Sequence, residues 1–240
     1  MARYRFATPR VKGCRVLDIA CGTGVGLPIL LGGGVRWVVG VDVDVEAARV
    51  AQVQLQGPRG RVLIADGCHL PFAEQSFEVI TSFETLEHLE HRDWFLAELR
   101  RVLVPAGLCI LSTPNASLTL PVNGKPRNPF HVHEYTVDEL RGELCSYFAF
   151  VEMLGQVIDS RFLVPPSWDE QDRLTGPWMR AHVLVWRLLN RFPFSVRDYV
   201  SRALLGQPFY PGETDYHFSG SNVETASVLV ALCRNPRPSV

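Results

Sequence analysis

The chain has almost no lysine: of its 24 basic residues only Lys12 and Lys125 are lysines. No tyrosine stands four residues before either one, which removes the Tyr-x-x-x-Lys pair that short-chain dehydrogenases need. It also has almost no net charge, −1 from 24 basic and 25 acidic residues, and no basic stripe. Sequence-independent nucleic-acid binding is therefore disfavoured. The six cysteines include no C-x-x-C pair and read as thiols kept reduced, not as a disulfide or zinc framework. No apolar run reaches membrane-spanning length, and no signal-like segment precedes the first strand, so a cytoplasmic protein is expected. What remains is 240 residues, 47% hydrophobic, enough for one globular domain with a real core.

Residues 15–26, Arg-Val-Leu-Asp-Ile-Ala-Cys-Gly-Thr-Gly-Val-Gly, carry the most information. Val16 to Ala20 is a short apolar run broken by Asp18. Gly22 and Gly24 then bracket a tight turn, and a helix-like run follows. A buried strand feeding a helix through a glycine turn presents unpaired N–H groups to a polar ligand. The dinucleotide fingerprint requires a third glycine at position 27, where Leu27 stands.

Two further apolar runs end in acids: Trp37 to Asp42 and Arg61 to Asp66. Asp18, Asp42 and Asp66 thus recur once per strand–helix–strand unit. Ligands of open α/β sheets sit beyond the carboxyl ends of the strands. An acid after the second strand can accept two hydrogen bonds from ribose hydroxyls, and one after the third can accept from an adenine amino group. A single such Asp reads equally as a helix cap. Three in register with the glycine turn favour a nucleotide site.

The pattern D-x-A-x-G-x-G resembles motif I of the class I S-adenosylmethionine (SAM) methyltransferases, with Ala20 in the first glycine slot. Asp66-Gly-Cys-His-Leu-Pro-Phe-Ala-Glu-Gln-Ser-Phe-Glu-Val-Ile and Leu99-Arg-Arg-Val-Leu-Val-Pro-Ala-Gly are similar to later segments of the "type 11" branch. The resemblance covers roughly residues 13–115. It implies a doubly wound, mostly parallel, seven-stranded Rossmann-like sheet and SAM as cofactor. It also implies a cofactor site of Asp18, Ala20, Cys21, Gly22, Gly24, Asp42, Val43, Asp66, Gly67 and Phe83. In it Asp42 holds the ribose, Asp66 the adenine and the Phe83 backbone the methionine end.

Phe148 to Val157 and Ala226 to Arg234 read as the last two strands of the sheet. They are too far apart for an ordinary connection, so residues 158–222 are expected to be a helical insertion before the last strand. The chain then divides into a core over 1–157, the insertion, and a last strand with tail over 223–240. Within the insertion a helix is expected over Pro177 to Phe192. Trp168 and Tyr210 sit in aromatic loops suited to lining an acceptor site.

A cluster of acids and histidines follows the fourth and fifth strands: Glu84-Thr-Leu-Glu87-His88, then His131-Val-His133-Glu134-Tyr135-Thr136. If residues 84–88 make a helical turn, Glu84, Glu87 and His88 share one side. Two carboxylates and two imidazoles suit a divalent metal; they equally suit a bare acid–base site in which His88 or His131 takes a proton. The arrangement resembles the metal-dependent small-RNA 3′-end 2′-O-methyltransferases, whose pattern implies Glu84, Glu87, His88 and His131 as ligands. Together these readings predict an enzyme that methylates oxygen of a small molecule, such as a sugar, phenol or lipid-linked acceptor. The alternatives are a nicotinamide-dependent oxidoreductase, opposed by Leu27, and a non-catalytic SAM-fold partner, opposed by the intact acids and histidines.

Overall fold

The computed structural model describes residues 1–55, 57–159, 162 and 188–235. The expected helix over 177–192, up to residue 187, and Trp168 lie outside the described residues. A helix α1 (Ala2–Ala7) precedes β1 (Arg15–Ile19), α2 (Leu27–Gly32), β2 (Trp37–Asp42), α3 (Val45–Gln54) and β3 (Gly60–Ile64). Then follow β4 (Phe77–Phe83), a 3-10 turn (Leu86–His88), α4 (Arg92–Val102), β5 (Leu103–Pro114) and α5 (Ala116–Thr119). The chain continues through α6 (Val137–Cys145), β6 (Phe150–Ile158), α7 (Phe194–Leu205), β7 (Tyr216–Ser219) and β8 (Val228–Arg234).

The strands form one sheet in the order β3-β2-β1-β4-β5-β8-β6-β7. The first five pair in parallel, and β8 runs antiparallel to both β5 and β6. The arrangement is the expected doubly wound, mostly parallel Rossmann-like sheet, with eight strands where seven were expected. The eighth, β7, has four residues, too few for alternation to show in sequence.

Buried apolar residues cover both faces of the sheet, as a doubly wound sheet requires. Phe95, Leu96 and Leu99 of α4 and Leu140 and Leu144 of α6 pack in one cluster. Leu27 and Leu30 of α2 and Ala51 of α3 pack in the other, with Ala7 of α1. Local signals place the helices. The Asp44 carboxylate accepts from the N–H groups of Glu46 and Ala47 and starts α3. Thr136 and Glu139 form the reciprocal capping box that starts α6.

The chain divides into two compact units, Met1–Gln156 with Phe218–Val240, and Val157–His217. The second contains α7, which the sequence reading did not place.

Candidate functional site

The parallel strands deliver the sequence-marked residues to one end of the sheet. β1 leads into the glycine turn, where Ala20 has φ 56°, Gly22 54° and Gly24 78°. Ala20 thus occupies the left-handed region at a cost of about 1–2 kcal/mol. That is the physical reason a glycine suits this slot. Gly24 is fixed by packing as well: a Cβ there would lie 2.6 Å from the Ala51 Cβ.

Asp42 is the last residue of β2. One carboxylate oxygen accepts from the Gly22 N–H at 2.7 Å and the other from the Asp44 N–H at 2.9 Å. It thereby ties the turn to the second strand and remains partly exposed. Val43 beside it is largely exposed. Asp66 lies two residues beyond β3 and is exposed. The Cys68 N–H donates to it at 2.8 Å and holds its carboxyl below the ordinary range. Gly67 packs against the Phe95 ring.

Asp18 differs from the other two acids. It lies inside β1, in register with Thr81 of β4, and is wholly buried. Thr81 Oγ1 donates to Oδ1 at 2.6 Å and the Tyr4 hydroxyl to Oδ2 at 3.0 Å. Burial pushes its carboxyl up to about 7, and the two hydroxyl donors pull it back only in part. Both oxygens are engaged within the fold. Cys21, mostly buried beside it, is pushed up to about 12 by burial and by Asp18.

Beyond β4 the structure brings together Glu87, His88 and His131. One ligand atom from each lies within 4.8 Å of the others, and the two imidazole rings are 4.9 Å apart. Glu84 is placed elsewhere. The expected helical turn over 84–88 begins only at Leu86, because Glu84 has φ 54°. Its carboxylate accepts from Ser112 Oγ at 2.8 Å and pairs with Arg3 at 3.4 Å.

Glu87 is 1% exposed. Its Oε2 accepts from Thr113 Oγ1 at 2.9 Å, whereas its buried Oε1 has no hydrogen-bond partner. Burial, and then the charge of Glu84, raise its carboxyl to about 7. His88 Nδ1 lies 2.9 Å from the Phe130 carbonyl oxygen, so it carries the proton and leaves Nε2 as the accepting nitrogen of the ring. That Nε2 faces Glu87 Oε1 at 4.0 Å, beyond hydrogen-bond distance.

His131 is held on both sides. Its Nδ1 contacts Glu134 Oε1 at 2.6 Å. The Phe130 N–H donates to Asn128 Oδ1 at 3.0 Å, which turns the Asn128 amide nitrogen onto His131 Nε2 at 2.9 Å. The buried Glu134 also accepts from Thr119. The sequence reading missed Asn128, Tyr4 and Arg3 as partners. Glu134 stands three residues after His131, a spacing that offered the signal for it.

Comparison with known proteins gives the family. The family model "Methyltransferase domain" matches residues 17–111. The demethylmenaquinone methyltransferase of Clavibacter sepedonicus is 31% identical over 187 residues, 74% of this chain and 70% of that protein. The chain belongs to the SAM-dependent methyltransferases. A probable SAM-dependent methyltransferase of Mycobacterium tuberculosis is 37% identical over 153 residues, covering 63% of this chain and 55% of its own. The chain spans about half the length of that relative and of a similar one from Mycolicibacterium smegmatis. Among solved structures, the YcgJ protein of Bacillus subtilis has the same fold, with TM-score 0.61 at 18% identity over 98% of this chain and 97% of that one.

The cofactor of this methyltransferase family is SAM, and the residues present fit it. Partly or fully exposed carboxylates stand at the end of β2 and just beyond β3, and the glycine turn between β1 and α2 leaves open space at Gly22. The nicotinamide alternative, already opposed by Leu27, ends with this family membership.

Proposed function

We propose that the protein moves the methyl group of SAM to an oxygen of a small-molecule acceptor, with His88 as the base. The bound cofactor supplies an electrophilic methyl on a sulfonium, so the protein's work is placement and proton removal. The observation that carries the reading is His88. Its Nδ1 proton is anchored on a backbone carbonyl, and its Nε2, 4.0 Å from Glu87 Oε1 and so outside hydrogen-bond reach of it, is left to accept a hydroxyl proton. His131 fits that role less well, because Asn128 covers its Nε2. In this reading Asp42 holds the ribose, with Val43 beside it. Asp66 and Gly67 hold the adenine, and the Ala20–Gly24 turn with the Phe83 backbone holds the methionine end.

A divalent metal on Glu87, His88 and His131 is the second reading, favoured by the unpartnered Glu87 Oε1. His131 carries a buried carboxylate on Nδ1, the usual support of a ligating imidazole, and its Nε2 would ligate once the Asn128 amide gives it up. A bound metal would lower the pKa of the acceptor hydroxyl. We assign choice of acceptor (sugar, phenol or lipid-linked) to the inserted region 158–222; the compact unit Val157–His217, which overlaps most of it, exposes Phe194 and Tyr199. We place the protein in the cytoplasm, a reading supported by its six free cysteines. Among the described residues no helix is long and apolar enough to cross a membrane.

The experiment is methyl transfer from labelled SAM to a pool of hydroxyl acceptors. His88→Ala is expected to lose about 10²–10⁴ in kcat with cofactor affinity kept. A chelator that abolishes activity, restored by a divalent ion, selects the metal reading; indifference to chelator selects the bare base. Full activity in His88→Ala refutes both.

A further inference from the structure

The matched family segment starts at residue 17, yet the structure runs a side chain from the preceding helix into the cofactor turn. We propose that Tyr4 is a positioning residue of the SAM site, holding β1, β4 and the glycine turn in their binding arrangement through Asp18. The inference rests on the reading of that turn as the SAM site.

Three contacts of one side chain carry it. The Tyr4 hydroxyl donates to Asp18 Oδ2 at 3.0 Å. Its ring lies edge-on to Phe83, the last residue of β4, with centroids 4.9 Å apart. The same ring lies so close over Gly26 that a Cβ there would come within 2.0 Å of its Cζ. Gly26 is the residue from which α2 starts, so the side chain reaches β1 before the turn, through its hydroxyl on Asp18, and the start of the helix after it, through its ring. Position 26 thus has no room for a side chain because Tyr4 occupies the place.

Asp18 carries the constraint across the sheet. It accepts from Tyr4 on one oxygen and from Thr81 on the other, so the hydroxyl–carboxylate–hydroxyl chain crosses from α1 through β1 to β4. Burial and the neighbouring carboxylate also raise the Tyr4 hydroxyl well above its ordinary value, which keeps it a proton donor. The preceding residue adds a second tie. Arg3 pairs with Glu84 at 3.4 Å, donates to Gln156 Oε1 at 3.4 Å, and lies 6.0 Å from the Phe83 ring centroid. α1 therefore grips the ends of β1 and β4 between which the cofactor turn opens. Ordinary core packing explains a buried ring. It does not explain a hydroxyl aimed at a buried carboxylate, or a glycine held free for the ring.

The test is calorimetric titration of the full chain with S-adenosylhomocysteine, alongside thermal unfolding and turnover at saturating SAM. Tyr4→Phe keeps the ring and removes one oxygen. It is expected to weaken binding about tenfold, or about 1.4 kcal/mol, with a smaller change in kcat. Asp18→Asn tests the same bond from the other side and leaves the ring in place. Because the two act as one unit, the double variant is expected to bind no more weakly than the worse single variant. A Tyr4→Phe protein that melts earlier but binds as wild type, or a double variant whose losses simply add, overturns the proposal. Wild-type protein that fails to bind S-adenosylhomocysteine overturns the cofactor reading itself, an outcome distinct from the other two.

Discussion

Asp18→Asn should change how stability depends on pH, and the structure gives the sign. In the unfolded chain this carboxyl ionises near 3.8, whereas burial in the fold holds it protonated up to about 7. Between those values the folded state binds the extra proton. Stability therefore falls as pH rises through the window, by about 1.4 kcal/mol per pH unit. Across the window from about 3.8 to about 7 the loss reaches about 4 kcal/mol. Asparagine has nearly the same shape and does not titrate. Its amide forces one of the Thr81 and Tyr4 hydroxyls to turn and accept, an offset that does not vary with pH. Urea unfolding of both proteins at a series of pH values separates the effects. The wild-type stability minus that of the variant should decline steadily from about pH 4 to about pH 7 and level off above. Parallel curves would refute the reasoning, since they would mean that Asp18 titrates alike in both states.

Two further expectations follow from the site. Asp42→Ala should weaken SAM binding by about 1.5–3 kcal/mol, the scale of a hydrogen bond to a charged group; calorimetry showing unchanged affinity would remove the ribose assignment. Tyr199→Ala, at a position 74% exposed in α7, should raise the acceptor KM and leave SAM affinity alone. Unchanged acceptor kinetics would argue that the Val157–His217 unit serves the fold and not the substrate.

The parts of this molecule legible in the sequence are those written in local spacing. The glycine turn, the acids after β2 and β3, and the Thr136–Glu139 capping box each need only a few consecutive residues to be recognised. The start of β5 is not written so plainly. The strand runs from Leu103, with a register irregularity against β4, so its early residues carry no regular alternation. What stayed hidden depends on contacts between distant segments. The Tyr4–Asp18 bond joins residues on separate elements, and nothing near Tyr4 marks it. Glu84 looked like a partner of Glu87 at helical spacing. Its positive φ breaks that helix before it starts, and Ser112 and Arg3 take its carboxylate instead. The Asn128 cover on His131 likewise depends on how a loop folds back, which spacing does not encode.

The place of β8 has a consequence for how the molecule is made. It lies between β5 and β6, yet it is synthesised after both. As the chain leaves the ribosome, β1 to β5 can pair in parallel and close the cofactor turn while β6 still lacks its inner neighbour. Loop closure over so long a separation is slow relative to local pairing. Until β8 arrives, β5 and β6 present open, apolar edges able to pair with other chains. Truncation before Val228 should therefore yield a nascent chain that forms its nucleotide half but aggregates through those two edges.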